Sequence, residues 1–199
     1  MKVAGKVIPL IEHLKVHLFA YPLLHMDESR VQVLKEPDKP ATSQSYMWVQ
    51  RGGPPNRPGV LFNYEPSRST ATVERLLATY QGALMTDGYT SYRRLAVAQG
   101  LTHLFCWAHA RRKFKEAQQA QPRGKTGKAD VAINFIAKLY GVEKRERSSD
   151  AALRHRTRQS QSLAILKAFH AWLKDAQQRV PSKAVLGKAV NYTLEYWLS

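Results

Sequence analysis

Two aspartates, Asp27 and Asp87, are the residues of this chain with the clearest capacity for chemistry. Asp87 directly follows a short apolar run at residues 83–85, and Gly88 comes next. Such a run predicts a buried strand, although its length alone does not exclude a helix. A carboxylate at the end of a strand lies at a sheet edge, where open α/β sheets bind their ligands. Taken alone, the Asp-Gly pair is better explained as a turn signal.

Two adjacent acids earlier in the chain support the interpretation that Asp87 takes part in chemistry. Asp27 and Glu28 come just before an alternation in which Val31 and Val33 are separated by a polar residue. That period predicts a half-buried strand over residues 25–34. Aspartate is depleted in strands, so two adjacent acids at the start of one are unusual. They are either solvated at the strand end or directed into a site.

The segments that follow these first acids predict an antiparallel meander. Residues 45–55 and 59–69 have strand patterns, and Gly and Pro residues between them predict a hairpin. Three consecutive strands joined by short connections pair as neighbours. The first strand then keeps a free edge.

Helices and strands alternate in the next part of the chain. Residues 70–80 follow the helical period, with Ser69 or Thr70 as the predicted N-cap and Gly82 as the predicted end. Residues 90–99 predict another helix. Strands at 83–85 and 101–107 complete the order of three strands, helix, strand, helix and strand. The helix at 70–80 is long enough to let the fourth strand pair in parallel with the free edge of the first. The predicted fold class is therefore α/β with a mixed sheet.

Both ends of the chain have helical patterns that predict packing surfaces. Residues 5–20 form an opening amphipathic helix, and residues 129–199 are helical throughout, with a further helix predicted after Pro181. Two apolar stripes mark the long helical part. They comprise Ile133, Ile136 and Tyr140, and then Leu166, Phe169 and Leu173.

The charge of the chain favours a polyanionic partner. The net charge is +16 and the pI is about 10.1. Residues 1–100 carry 12 basic and 8 acidic residues, against 19 and 7 in residues 101–199. A basic half of this size indicates nucleic acid first, with a basic surface that serves only solubility as the alternative. A membrane surface is disfavoured, because the cations do not line one face of an apolar helix. A basic run begins with Arg111, Arg112, Lys113 and Lys115.

The single cysteine and the hydropathy restrict the compartment. Cys106 has no partner for an internal disulfide, which fits a reducing cytosol. No apolar stretch approaches the ~20 residues that cross a bilayer, and the opening segment is a poor signal peptide.

Cys106 and His109 have a metal-like spacing, but structural zinc needs four ligands. We expect Cys106 to be a small buried group and His109 to face the site or cap a helix.

Four segments, in this order and at these spacings, resemble the transposases of the insertion sequence 66 family: HMDESRVQVL, SYMWVQRGGPP, TDGYTSY and CWAHARRKF. The resemblance covers nearly the whole chain. It implies a ribonuclease H-like catalytic core with an Asp, Asp, Glu triad, in which Asp27 matches the first aspartate and Asp87 the second. It divides the chain into the opening helix at 1–20, a partial core at 21–115 and a helical insertion at 116–199.

The third acid of the triad has no match in this sequence. In the family the glutamate follows an Asn-Asn pair after the helical insertion, and Glu195 does not lie in such a motif. The chain is therefore expected to be truncated before the third acid and inactive alone in cutting DNA. The alternative function is a catalytically incomplete remnant that binds nucleic acid without cutting it.

The resemblance also implies the chemistry and the partners. Cutting and joining DNA is an in-line displacement at phosphorus, which two Mg²⁺ ions ~3.5–4 Å apart catalyse by activating the attacking oxygen and stabilising the leaving one. Asp27 and Asp87 would hold these ions, because Mg²⁺ prefers carboxylate oxygens, and Mn²⁺ could substitute. We expect their carboxylates within roughly 4–8 Å of each other. Transposon ends and target DNA are the expected partners, contacted by Arg111, Arg112, Lys113 and Lys115. We also expect a homo-oligomer on DNA and a cytoplasmic location. We expect no membrane partner and no small-molecule cofactor.

Overall fold

A computed structural model describes residues 2–54, 56–122 and 126–197 of the chain, for residues 2–4 the backbone only. The chain divides into two compact units, Met1–Phe105 and Cys106–Leu198. The first unit contains a sheet, and the second is helical. The predicted limits of the catalytic core, residues 21–115, stay a prediction, since a compact unit need not coincide with a catalytic core.

A five-stranded mixed sheet forms the first unit. Its spatial order is β3-β2-β1-β4-β5. The β1–β2 and β2–β3 pairs are antiparallel, whereas β1–β4 and β4–β5 are parallel. This confirms the predicted meander and the predicted parallel pairing of the fourth strand with the free edge of the first. The strands are β1 (Leu23–Gln32), β2 (Gln44–Gly52), β3 (Gly59–Glu65), β4 (Ala83–Thr86) and β5 (Thr102–Phe105).

Strand β1 begins earlier than the sequence predicted. The sequence predicted a strand over residues 25–34 with the two acids at its start, but β1 begins at Leu23 and ends at Gln32. Leu24 and Met26 provide its buried face. Asp27 and Glu28 therefore lie in the middle of the strand. They are paired with Val49 and Trp48 of β2, respectively. The prediction was wrong here because one buried face of a strand can consist of few residues when the neighbouring strands supply the rest of the core.

The helices beside the sheet, in the part of the chain that the structure describes, are α1 (Lys2–Phe19), α2 (Thr70–Leu77) and α3 (Thr90–Gln99). Of the two proposed N-caps of α2, Ser69 is the one whose side chain accepts a hydrogen bond from the backbone N–H of Thr72. The prediction that Gly82 ends α2 was wrong, because the helix already ends at Leu77. Gly82 instead adopts φ +133° just before β4, a conformation that favours glycine.

The core of the first unit lies where α1, α2 and α3 meet the sheet. Its fully buried side chains include Leu18, Leu24, Trp48, Val73, Leu77, Tyr80, Leu84 and Tyr92. The predicted apolar face of α1 is only partly used. Leu18 is buried, but Ile8 and Ile11 are 55% and 41% exposed. None of the described helices is long and apolar enough to cross a membrane.

The described residues of the second unit form helices and the turns between them. The helices are α4 (Trp107–Gln119), α5 (Lys128–Arg145), α6 (Ala151–Thr157), α7 (Leu163–Arg179) and α8 (Val185–Glu195), with a π-helical turn at Arg158–Ser162. Phe114, Ile136, Phe169 and Leu173 lie at the centre of its core. The predicted stripes are confirmed at these positions, whereas Tyr140 is 41% exposed. The helix predicted after Pro181 begins at Val185.

Candidate active site

Asp87 follows the last residue of β4 and is fixed by the turn that leads into α3. Its Oδ1 accepts a hydrogen bond from the backbone N–H of Tyr89, 2.9 Å away. The side chain of Asp87 is 22% exposed. The short strand holds this position because Leu84 and Thr86 are buried on one face. Asp87 is thus an ordered, accessible carboxylate at the carboxyl end of a parallel strand, where the sequence predicted it.

Asp27 lies on β1, the strand that pairs in parallel with β4. Every described β1–β4 pair joins residues whose numbers differ by 60, the last being His25 and Met85. Continued by two residues, that register sets Asp27 beside Asp87. Asp27 is exposed, and its Oδ1 accepts a 2.9 Å hydrogen bond from the backbone N–H of Glu28. The predicted separation of the two carboxylates stays a prediction.

Glu28 is connected to Asp87 through a shared contact with Arg68. Alternation along β1 directs it to the face of Leu24 and Met26, opposite to Asp27. Its side chain is only 2% exposed. Its Oε2 accepts a 2.6 Å hydrogen bond from the hydroxyl of Tyr92, which is itself fully buried. Its Oε1 accepts one of 2.5 Å from Nε of Arg68.

Arg68, in the loop between β3 and α2, joins Glu28 to Asp87. Its Nη2 also contacts Glu28 and lies 3.6 Å from Oδ2 of Asp87. The guanidinium covers the ring of Tyr89 at 3.8 Å from the ring centre, a cation–π geometry. The hydroxyl of Tyr89 donates to the backbone carbonyl of Arg68. Both the side chain and the backbone of Arg68 are therefore fixed beside Asp87.

The electrostatics of this network follow from burial. Burial raises the pKa of Glu28, and nearby Asp87 adds to the rise, while Tyr92 and Arg68 oppose it. The pKa of Tyr92 is raised strongly by burial and by the negative charge of Glu28. A hydroxyl that keeps its proton is a permanent donor, so Tyr92 stabilises the ionised form of Glu28. The hydrogen bond from Tyr92 and the contacts with Arg68 thus act against the effect of burial on the pKa of Glu28.

His103 adds a neutral polar group on the other side of β4. Thr86 donates its hydroxyl proton to the carbonyl of Asp87, 2.8 Å away. The same hydroxyl oxygen lies 2.8 Å from Nε2 of His103. Because a hydroxyl has one proton, Nε2 of His103 is the donor in this second bond. Burial lowers the pKa of His103, with a contribution from Arg93, which is consistent with a neutral imidazole at this position.

The donors present fit a hard divalent cation. Asp27 and Asp87 supply accessible carboxylate oxygens, which Mg²⁺ prefers, and the position beside Asp87 already attracts the cationic Arg68. No group of three or more His, Cys, Asp or Glu that could hold a metal occurs among the described residues. Mg²⁺ is often bound by one or two carboxylates with water and substrate phosphate completing its coordination. The two aspartates match that pattern.

The predicted DNA-contacting cations lie on α4 in the second unit. The helix buries Ala110, Phe114 and Ala117, which leaves the four cations partly or fully exposed. Lys113 lies over the ring of Tyr192 at 4.6 Å, and Lys115 donates to Gln118. Within the described chain, no ion pair of these four cations with a carboxylate is found at 4.0 Å or less. The role of these four cations in contacting DNA stays a prediction.

The sequence did not single out Arg68, Tyr89 and Tyr92 as members of a site. Glu28 was noted only as the neighbour of Asp27. Hydrogen bonds between residues 40 and 64 positions apart join Glu28 to Arg68 and Tyr92, and no local pattern reports such contacts. An arginine in a polar loop, a tyrosine just before a helix and a tyrosine within that helix have ordinary explanations in sequence.

The fold and the acids define the chain as an α/β protein with one carboxylate, Asp87, at the carboxyl end of a parallel strand and another, Asp27, within the neighbouring strand β1. Comparison with known proteins then gives the family. The model of the family described as "Transposase IS66 family" matches residues 1–199. The chain belongs to this family.

Three curated relatives come from Sinorhizobium fredii and are named only as uncharacterized proteins. The chain is 31% identical to y4jD over 98% of its length, 31% identical to y4qI over 84%, and 26% identical to y4hP over 96%. It spans 40%, 33% and 37% of the lengths of these relatives.

Proposed function

We propose that this chain is part of the catalytic core of a DNA transposase, which cuts and joins DNA strands by metal-dependent phosphoryl transfer on a ribonuclease H-like sheet. The observation that supports the proposal is the parallel β1–β4 register, in which every described pair differs by 60 and which, continued by two residues, would bring Asp27 beside Asp87. Family membership supports the DNA substrate.

The residues of the site have distinct roles in this proposal. Asp27 and Asp87 hold the divalent cations, Mg²⁺ or Mn²⁺. When bound, the cations activate the attacking oxygen and stabilise the leaving oxygen at phosphorus. The backbone N–H of Tyr89 donates a hydrogen bond to Oδ1 of Asp87 and thereby orients its carboxylate. The buried Leu84 and Thr86 fix the strand end that carries it.

The cations of α4 provide the binding component. Arg111, Arg112, Lys113 and Lys115 neutralise backbone phosphates and position the duplex without reading its sequence. The same exposed cations support the second candidate function, a DNA-binding protein that does not cut. The two candidates differ in whether divalent cations bind at the aspartates.

The test measures Mn²⁺ binding with and without DNA, by electron paramagnetic resonance of the free ion. Because DNA phosphate completes the coordination, we expect DNA to tighten Mn²⁺ binding by the native chain. Asp27→Asn and Asp87→Asn should weaken Mn²⁺ binding at least tenfold, since each removes one of two ligands. Asp38→Asn is the matched control, because Asp38 is an exposed acid of the same unit. Equal Mn²⁺ affinity in the native chain and both site variants would leave only the non-cutting candidate.

A further inference from the structure

The contacts of Arg68 with its two acids are unequal. Towards Glu28 the guanidinium makes a 2.5 Å hydrogen bond through Nε and a second contact through Nη2. Towards Asp87 it makes one ion pair of 3.6 Å, beyond hydrogen-bond distance. Glu28 is buried, whereas Asp87 is partly exposed. Arg68 is thus anchored on Glu28 and only loosely paired with Asp87.

Glu28 is poorly placed to bind a metal itself. One of its oxygens accepts from Arg68 and the other from Tyr92. With 2% of its side chain exposed, it has no open approach for a hydrated cation. A buried carboxylate with both oxygens in use serves the groups it bonds, and here the charged one is Arg68.

We propose that Arg68 is a built-in counter-ion of the metal site: it pairs with Asp87 until a divalent cation takes that carboxylate, and Glu28 retains it afterwards. This inference rests on the proposed function, since it requires Asp87 to be a metal ligand. A divalent cation carries twice the charge of a guanidinium and approaches a carboxylate oxygen to ~2.1 Å. It therefore outcompetes an ion pair of 3.6 Å, while the shorter bonds to Glu28 survive.

The net charge of Glu28, Arg68 and Asp87 predicts that two charge-removing variants change the affinity for a cation in opposite directions. Glu28, Arg68 and Asp87 together carry a net charge of −1, from two carboxylates and one guanidinium. Removing the charge of Arg68 makes the trio more negative and removes the competitor for Asp87. Removing the charge of Glu28 makes the trio neutral and frees Arg68 to pair fully with Asp87. The first change favours a cation at Asp87, and the second opposes it.

The experiment is Mn²⁺ titration of the full chain at neutral pH. We expect Arg68→Met to bind Mn²⁺ about tenfold tighter and Glu28→Gln about tenfold weaker, the order of magnitude for one unit charge a few ångströms away. The double variant Glu28→Gln/Arg68→Met restores the net charge and should return towards native affinity. Arg75→Met is the matched control, because Arg75 pairs with Glu65 in the same unit, and it should leave Mn²⁺ affinity unchanged.

The double variant keeps the test valid if a single variant fails to fold, because it leaves no unpaired buried charge. Weakened binding in both Arg68→Met and the double variant would mean that Arg68 only supports the structure, and would overturn the inference. A second readout follows the NMR signal of the Arg68 Nε–H during Mg²⁺ titration. The signal should persist, since its bond to Glu28 is retained. Its loss on Mg²⁺ binding would also overturn the inference.

Failure of the inference can be told apart from failure of the proposed function. If Asp87→Asn abolishes Mn²⁺ binding but Arg68→Met weakens it, the metal site stands and only the role of Arg68 is wrong. If Asp87→Asn binds Mn²⁺ as the native chain does, or the native chain binds none, the proposed metal site fails and the inference fails with it.

Discussion

The hydroxyl of Tyr92 is the most informative single group to remove, and Tyr92→Phe removes it with little change of shape. The ring is fully buried and makes edge-to-face contacts with Trp48 and Tyr89, which phenylalanine preserves. What is lost is a 2.6 Å hydrogen bond to the buried carboxylate of Glu28. The variant therefore isolates one charge-assisted bond.

Hydrogen bonds to charged groups contribute about 1.5–3 kcal/mol, so we expect the first unit to lose about 2 kcal/mol of unfolding free energy. With an m-value of about 2 kcal/mol/M, the urea midpoint falls by about 1 M. Hydrogen exchange of β1 and β4 amides during urea titration assigns the loss to this unit. Tyr46→Phe is the control, because no hydrogen bond of the Tyr46 hydroxyl occurs in the described structure, and it should change stability by no more than about 0.5 kcal/mol.

The pH dependence of the Tyr92→Phe deficit provides a second check. The pKa of Glu28 is raised above 4.5 by burial, and the Tyr92 hydrogen bond opposes that rise by favouring the ionised form. The hydroxyl therefore stabilises the fold only while Glu28 is ionised. The deficit should be full at neutral pH and shrink as the pH falls through the raised pKa of Glu28. A deficit below about 0.5 kcal/mol, or one independent of pH, would refute the assignment of the bond.

Two further predictions concern binding and pH. Neutralising Arg111, Arg112 and Lys113 together should flatten the dependence of log K on log salt for DNA by about 0.9 per lost phosphate contact. The control variant neutralises the exposed cations Lys35, Arg57 and Lys183. If both variants give the same salt dependence, the DNA contact lies elsewhere. Burial lowers the pKa of His103 below 6.5, so its contribution to stability is full above pH 6.5 and is lost as the pH falls through its folded value. Urea unfolding of His103→Gln should show a weaker decline from pH 7.5 to pH 5.5 than the native chain, and an equal decline would contradict this.

Much of the fold was predictable because it depends on local patterns. Alternation and turn residues predicted the strands of the meander, and the helical period predicted α2 and α3 close to their observed limits. The free edge of the first strand predicted the parallel pairing of β1 with β4. The start of β1 and the role of Gly82 were missed, because a neighbouring strand and a turn conformation, not the local period, decide them.

The candidate site divides in the same way. The sequence by itself predicted Asp27 and Asp87 as site residues, through the turn after an apolar run and the resemblance of four segments to a transposase family; the comparison confirmed the family. Only the tertiary structure decided that Glu28 lies on the core face and binds Arg68 and Tyr92. These residues are distant in sequence, and their hydrogen bonds exist only once α2 and α3 pack on the sheet. The alternation of a strand shows which residues share a face, whereas the partner of a buried charge depends on what the rest of the chain places against that face.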